Sequence, residues 1–299
     1  FCLRRGFDGS HEFTRLEDIP FLSVQAFKEN PELLCSVPEA EIKVRLSSSA
    51  TSGKPSTVVI DKKTSKRQIK ALATVMSAVL GRKRRPFIVF DADHRKVGTA
   101  ALGARNAAVI GFLNLAREAR YVMDLSQKGQ PVLNEGLFEK ELKEFSRKDE
   151  PVCVFGFTYV LYNHGVKPLF DTGKRFPLPK QSKVIHIGGW KKLKDQQVSK
   201  DVFNVQLAEF FQINPSDIID FYGFTEQMGV TYPDGPTGYK CVPAFSEVIV
   251  RDPVSLKPVP DGSEGLLEFI TPLPYSYPGL AILTDDVGVV LSREQCSNG

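Results

Sequence analysis

The chain has 299 residues, with 39 Lys or Arg against 35 Asp or Glu for a formal net charge of +4; apolar residues make up 42%, charged residues 25% and aromatics 10%. Those proportions exclude a disordered, collagen-like or coiled-coil chain, and so small a charge over this length does not call for nucleic acid as a partner. The length fits one large α/β domain or two moderate ones, with a core that needs no disulfide or metal staple.

The first predicted element is a short helix over Val24–Glu29, with Ser23 placed to cap it. Ile42–Leu46 alternates apolar and basic residues as a strand does, and Thr57–Asp61 is β-branched and strand-like. Between them lies a polar loop, Ser47–Ser56. Ser65–Leu80 has apolar positions at Ile69, Leu72, Ala73, Met76, Val79 and Leu80, the spacing of an amphipathic helix, and Gly81 ends it. Arg82–Arg85 is a basic run that could attract an acidic partner or a membrane surface, with a solvated helix-to-strand loop as the plainer reading. Phe87–Asp91 is a strand, Ala100–Arg117 a helix rich in small residues, and Glu135–Arg147 a second helix. Val152–Phe157, Val184–Gly188 and Ile218–Tyr222 are further strands, with a helix at Lys200–Phe211. After Val242 the pattern changes: Glu247–Arg251 and Gly265–Thr271 are strands with only Pro/Gly turns between them. Residues 1–240 therefore read as an alternating α/β core and 241–299 as a β-rich subdomain of the same large domain.

Five cysteines (Cys2, Cys35, Cys153, Cys241, Cys296) are odd in number and far apart, a pattern of free thiols in a reducing compartment, hence a cytoplasmic chain. The four histidines are scattered, so no protein-built metal site is expected. The longest apolar stretch, Ala100–Ala116, is broken by Arg105, Asn106 and Asn114, which excludes a membrane span. Arg105 stands among small apolar residues, where it either orders a loop or extends to solvent.

Four segments carry chemistry. Ser47–Ser56 offers hydroxyls and backbone N–H groups of the kind that meet phosphate, although it lacks the P-loop spacing. His186-Ile-Gly188-Gly189-Trp190-Lys-Lys follows a strand with two glycines on which a flat ring can lie. Tyr222-Gly223-Phe224-Thr225-Glu226 ends a strand, where open α/β sheets bind ligands, and Glu226 can hold Mg²⁺ beside phosphate oxygens. Thr284-Asp285-Asp286-Val-Gly288 can accept hydrogen bonds from ribose hydroxyls. Each segment alone also reads as an ordinary loop, turn or charged hairpin.

Their order is more informative, because it resembles the adenylate-forming enzymes, the acyl-CoA synthetases and their relatives. Within them the chain is most similar to the LuxE-type acyl-protein synthetases. The shared phrases include Asp18-Ile-Pro-Phe-Leu, Ala104-Arg-Asn-Ala-Ala-Val-Ile-Gly-Phe-Leu113, Phe155-Gly-Phe-Thr-Tyr159, Gly188-Gly-Trp-Lys-Lys192, Tyr222–Gln227 and Ser276-Tyr-Pro-Gly. In the phosphate loop, Ala50 and Ser56 stand where the wider family has glycine and lysine.

The resemblance implies ATP and Mg²⁺ as cofactors. Ser48, Ser49, Thr51, Ser52 and Gly53 would cradle the β- and γ-phosphates, and Gly188 and Gly189 would back the adenine. Tyr222 and Gly223 would lie beside the acyl and adenine groups, and Asp286 would bind the ribose. Thr225 would contact phosphate, Glu226 would hold the metal, and Gly156, Phe157 and Tyr159 would line the acyl channel. The implied reaction joins a fatty acid, or another carboxylic acid, to AMP and then passes the acyl group to a thiol on a protein, a carrier or coenzyme A. A ligase for an aryl or short acid, of the phenylacetate ligase branch, is the alternative, and a catalytically silent nucleotide- or partner-binding relative is another. Because only eleven residues follow Gly288, the resemblance also implies the large N-terminal domain of such an enzyme, without its small C-terminal lid.

Overall fold

In the computed structural model, which describes residues 14–48, 54–93, 104–127, 129–190 and 195–293, the long apolar runs become the inner strands of one sheet. The elements in chain order are β1 (Leu22–Ser23), α1 (Val24–Glu29), β2 (Ile42–Ser47), β3 (Thr57–Asp61), α2 (Lys62–Leu80), β4 (Pro86–Ala92) and α3 (Ala104–Leu113). Next come β5 (Glu118–Leu125), β6 (Pro131–Leu133), α4 (Glu135–Arg147), β7 (Cys153–Phe157), a π-helix (Val160–Val166) and α5 (Lys167–Phe170). The remainder is β8 (Lys183–Ile187), α6 (Lys200–Phe211), β9 (Ile218–Tyr222), β10 (Tyr232–Pro233), β11 (Glu247–Arg251), β12 (Gly265–Ile270) and β13 (Ala281–Gly288).

The main sheet has the order β10-β9-β8-β7-β4-β5-β6, and its five inner strands run parallel. Phe87–Phe90, Val152–Phe155 and Val184–Ile185 are fully buried, as strands covered on both faces must be. The helices between them supply apolar stripes: Leu72, Val75 and Met76 from α2, Phe138 and Phe145 from α4, and Phe203, Leu207, Phe210 and Phe211 from α6. Phe90 ties these layers together, with its ring centroid 5.4 Å from Phe138 and 6.4 Å from Phe211. Its truncation to alanine costs about 3–5 kcal/mol at a site this well packed.

A four-stranded sheet, β1-β13-β12-β11, joins the two ends of the chain, with Leu22 paired in parallel to Ile282. The strands beyond residue 241 therefore share their sheet with residues 22–23. Inside it, Arg251 and Glu268 form a buried ion pair at 2.5 Å, and Arg251 also donates to the carbonyls of Glu17 and Leu256. A two-stranded ribbon, β2-β3, makes the third sheet.

The observed elements depart from the sequence expectation in identifiable ways. α2 begins at Lys62 because the Asp61 carboxylate accepts the N–H groups of Lys63 and Thr64, capping the helix three residues earlier than apolar spacing suggests. α1 has the predicted limits, but Ser23 makes no side-chain cap. β5, β6 and β13 lie where no strand is predicted, so Asp285 and Asp286 sit on a strand, not a hairpin turn. Described helix in the predicted Ala100–Arg117 segment is Ala104–Leu113, and Arg117 instead donates its N–H to the Arg85 carbonyl. Cys35 and Cys153 are free thiols, but Cys241 is disulfide-bonded, against the expectation from cysteine spacing. Among the described residues, no helix is long and apolar enough to cross a membrane.

Candidate functional site

Parallel strands end on one side of their sheet, and the carboxyl ends of β7, β8 and β9 deliver Phe157, Gly188 and Gly223 to one cavity of about 730 Å³. Ser48, Thr225 and Arg105 line it as well. Much of the remaining wall is apolar, built by Val44, Leu46, Ile60, Leu72, Ala108 and Phe112. Six residues from three of the four chemistry-bearing segments (Ser48, Ile187, Gly188, Gly223, Phe224, Thr225) thus share one space with a predicted channel residue, Phe157.

The polar loop enters at Ser48. Its N–H donates to the Ser56 carbonyl at 2.9 Å and its hydroxyl accepts the Ser56 N–H at 2.9 Å, so the loop is pinned at its base. Ser49, Thr51, Ser52 and Gly53, and Ala50 with them, lie outside the described residues.

Gly188 and Gly189 both take left-handed backbone, with φ +92° and +57°. At Gly188 a Cβ would stand 2.9 Å from the Phe157 ring, so the position needs glycine for space as well as for conformation. Trp190 packs edge-on to Tyr162 at 5.3 Å and to Phe203, on the core, and does not line the cavity.

Tyr222 is stacked on Phe269 and donates its hydroxyl to Asp286 at 2.5 Å. Burial first, and then the charge of Asp286, pushes the Tyr222 hydroxyl far above its usual pKa, so it stays the donor. Strand geometry turns neighbouring side chains to opposite faces. Asp285 accordingly leaves this site and meets Gln25 at 3.2 Å and Lys28 at 3.7 Å on α1. Of the two aspartates, only Asp286 reaches Tyr222.

Thr225 and Glu226 fall in a single 3₁₀ turn after β9, and the turn is anchored by Gln227, whose amide donates to the carbonyls of Phe269 and Gly279. Glu226 is buried and does not line the cavity itself. The buried Tyr277 hydroxyl has its pKa raised, chiefly by burial and then by the charge of Glu226. Among the described residues no group of three metal-ligating side chains exists. Among the described residues of this turn, Glu226 is the carboxylate that could hold a Mg²⁺ beside phosphate oxygens.

The three predicted channel residues separate. Phe157 lines the cavity. Gly156 is packed beneath it, where a Cβ would lie 3.1 Å from both Phe90 and Leu161. Tyr159 reaches the cavity through Arg105, which donates to its hydroxyl at 2.7 Å.

Arg105 is the main addition to the expected set. It grips Asp91 with two hydrogen bonds, at 2.8 and 3.2 Å, and lies 4.9 Å over the Phe157 ring. The fork geometry fixes the guanidinium at the cavity wall and leaves two of its five N–H groups unused by these partners. The sequence places Arg105 on a helix of small residues, but not Asp91 opposite it. His186 points away from the cavity: its Nδ1 meets Thr158 at 3.0 Å and Asp220 at 3.4 Å, and burial pushes its pKa down.

The family model for "Acyl-protein synthetase, LuxE" matches residues 1–299. The chain is 28% identical over 307 residues to the long-chain-fatty-acid–luciferin-component ligase of Vibrio harveyi, covering 98% of this chain and 74% of that protein. It is 30% identical over 185 residues to the ligase of the same name from Aliivibrio fischeri, covering 57% of this chain and 47% of that one. Among solved structures, 2-hydroxyisobutyryl-CoA ligase in complex with 2-HIB-AMP and CoA superposes with a TM-score of 0.67 at 15% identity, over 98% of this chain and 65% of its own. ATP-bound MatB from Rhodopseudomonas palustris gives 0.54 at 14% identity, over 86% of this chain and 47% of its own. These likenesses establish a fold shared with adenylate-forming ligases, of which the chain spans about half to two thirds. With a sheet whose carboxyl edge gathers Ser48, Gly188, Gly223 and Thr225, and a family match along its whole length, the chain belongs to the LuxE acyl-protein synthetases.

Proposed function

We propose that this chain binds ATP with Mg²⁺ and a long-chain fatty acid, and activates the acid as acyl-AMP for transfer to a thiol. The observation that carries the reading is the single cavity that Ser48, Thr225, Gly188 and Gly223 line together with Leu46, Leu72, Ala108 and Phe112. An anion with a long apolar tail fits a space that offers a few polar groups in a largely apolar wall.

In the reaction a carboxylate oxygen attacks the α-phosphorus, an O–P bond forms, and the bond to the leaving pyrophosphate breaks. The acid is ionised at neutral pH, so no general base is required. What the protein must do is align two anions and offset their repulsion. Glu226 would hold Mg²⁺, which would supply charge neutralisation on the phosphates when bound. Ser48 and Thr225 offer hydroxyl donors, with Ser49, Thr51, Ser52 and Gly53 as further donors from the loop. Gly189, with open space where a Cβ would stand, leaves the backbone free for the adenine beside Gly188, and Tyr222 holds Asp286 in place for the ribose. Arg105 stands where it can meet the acid's carboxylate. The acyl group then leaves AMP for a thiolate, which is the competent form of the acceptor.

Hydroxylamine trapping tests this. With ATP, Mg²⁺ and a series of acids, an acyl hydroxamate is expected from long-chain substrates, and Glu226→Gln should reduce it by at least about a hundredfold. A preference for aryl or short acids would favour the coenzyme A ligase reading. Absence of both ATP binding and hydroxamate across the series would overturn adenylation altogether.

A further inference from the structure

Charge is unevenly distributed along this chain. Residues 62–85 hold nine Lys or Arg and no Asp or Glu, so the rest of the chain has 30 cations against 35 anions and is net acidic. The nine belong to α2 and the loop that follows it. Lys62, Lys66 and Lys70 follow one another at four-residue spacing on the exposed side of that helix, and Arg82, Lys83 and Arg84 are exposed just beyond its end. Among the described residues none of these six has a carboxylate within ion-pair distance, whereas elsewhere on the surface Arg117, Lys148, Lys167, Arg175 and Arg293 are all paired. Cations left unneutralised on one helix face and its adjoining loop make a surface that attracts an anionic partner.

The same face holds an opening of the cavity. Ile69 of α2 is 45% exposed and Ile110 of α3 is 36% exposed, and both also line the cavity. Exposed Lys43 lines it too and reaches α2, where its ammonium donates to the Ser65 hydroxyl at 3.3 Å. The cavity therefore meets solvent between β2, α2 and α3, beside two exposed isoleucines and next to Lys66 and Lys70.

We infer that the α2 face and the Arg82–Arg84 loop dock the chain on an anionic lipid bilayer, with the opening at Ile69 and Ile110 turned toward the lipid. A helix that lies in a membrane surface combines a run of cations with apolar side chains that reach the acyl region, and the cations hold it there through the surface potential. An acidic protein would satisfy the cations equally well. It would not account for a pair of exposed isoleucines at the entrance of an apolar cavity. The docking itself needs neither ATP nor acid. The reason for it rests on the proposed fatty-acid substrate, whose tail partitions into the same bilayer.

The test is co-sedimentation of the protein with vesicles of phosphatidylglycerol and phosphatidylcholine in equal parts, without ATP or fatty acid. Binding is expected to these vesicles, not to pure phosphatidylcholine, and to fall steeply as salt is raised from about 0.05 M to about 0.5 M. Lys62→Gln/Lys66→Gln/Lys70→Gln and Arg82→Gln/Lys83→Gln/Arg84→Gln should each lower the partition coefficient on the order of a hundredfold. Circular dichroism and an unchanged melting curve establish that these surface variants fold. Failure of the folded wild-type chain to bind anionic vesicles at low salt would overturn the proposal, as would binding that neither triple variant weakens. Binding to polyglutamate with none to vesicles would assign the face to an acidic protein and reject the lipid. Because hydroxamate formation is measured without vesicles, failure of docking and failure of the adenylation reading are separate results.

Discussion

The hydroxyl of Tyr222 and the carboxylate of Asp286 meet at 2.5 Å although 64 residues separate them, and this one bond couples the end of β9 to β13. It joins the main sheet to the sheet that contains both ends of the described fold. Tyr222→Phe keeps the ring on Phe269 and removes only the donor. ATP affinity should fall by about tenfold, the scale of a hydrogen bond to a charged group, as read by calorimetry. The raised Tyr222 pKa keeps the donor protonated, so wild-type affinity should show no loss from this group up to about pH 9.

Gly188 is held at φ +92° with Phe157 against its open side. Gly188→Ala introduces both backbone strain and a clash, and should lower the urea unfolding free energy by about 1–3 kcal/mol. ATP affinity should fall with it, whereas alanine at the exposed Gly173, with open space around it, should cost less than half as much because only the backbone term applies.

Arg105 spans Asp91, Tyr159 and the face of Phe157. Lysine cannot make the two-point contact to Asp91. In steady-state adenylation Arg105→Lys should raise the KM for the acid by about tenfold or more, the value of a charge-assisted hydrogen bond, with a smaller change in the KM for ATP. Tyr159→Phe removes one of the three Arg105 contacts and should produce a milder change in the same direction.

His186 lies buried against Phe203, with Asp220 favouring its charged form and Lys240 opposing it. Burial dominates and depresses the folded-state pKa below the ordinary value near 6.5. The unfolded chain then binds a proton that the folded chain refuses. Its stabilising effect is present above about pH 6.5 and is lost as pH falls, by up to about 1.4 kcal/mol per pH unit. Urea midpoints at about pH 7.5 and 5.5 should differ more for the wild-type chain than for His186→Asn.

Local signals were enough for the elements whose pattern is local. α4 and α6 occupy the predicted residues because their apolar stripes and their caps, Asn134 and Ser199, are written within one segment. β9 does so because its run of apolar residues is short and sharply bounded. β5 carries no clear strand pattern because Glu118, Arg120 and Asp124 interrupt it; it lies near the sheet's edge, where half-exposed positions tolerate charge. The π-helix has no periodic signature of its own. In the site, glycines and hydroxyls were legible as types, because a close backbone approach or a phosphate contact demands them. The fork between Arg105 and Asp91 was not, since it forms across a strand and a helix, and neither residue is unusual in its own neighbourhood. Asp286 rather than Asp285 meets Tyr222 for a reason that only strand alternation reveals.

The parallel pairing of Leu22 with Ile282 gives the fold a timetable. Gln25 and Asp285, which touch across that junction, are 260 residues apart. At a synthesis rate of ~5–20 residues per second the first strand and α1 wait roughly 13–50 s for their partner to leave the ribosome. The main sheet has all its strands by Pro233, well before β13 exists. The seat of Asp286 therefore forms only after the main sheet has all its strands, so a nascent chain can own the core of that sheet while still lacking the aspartate proposed to hold the ribose.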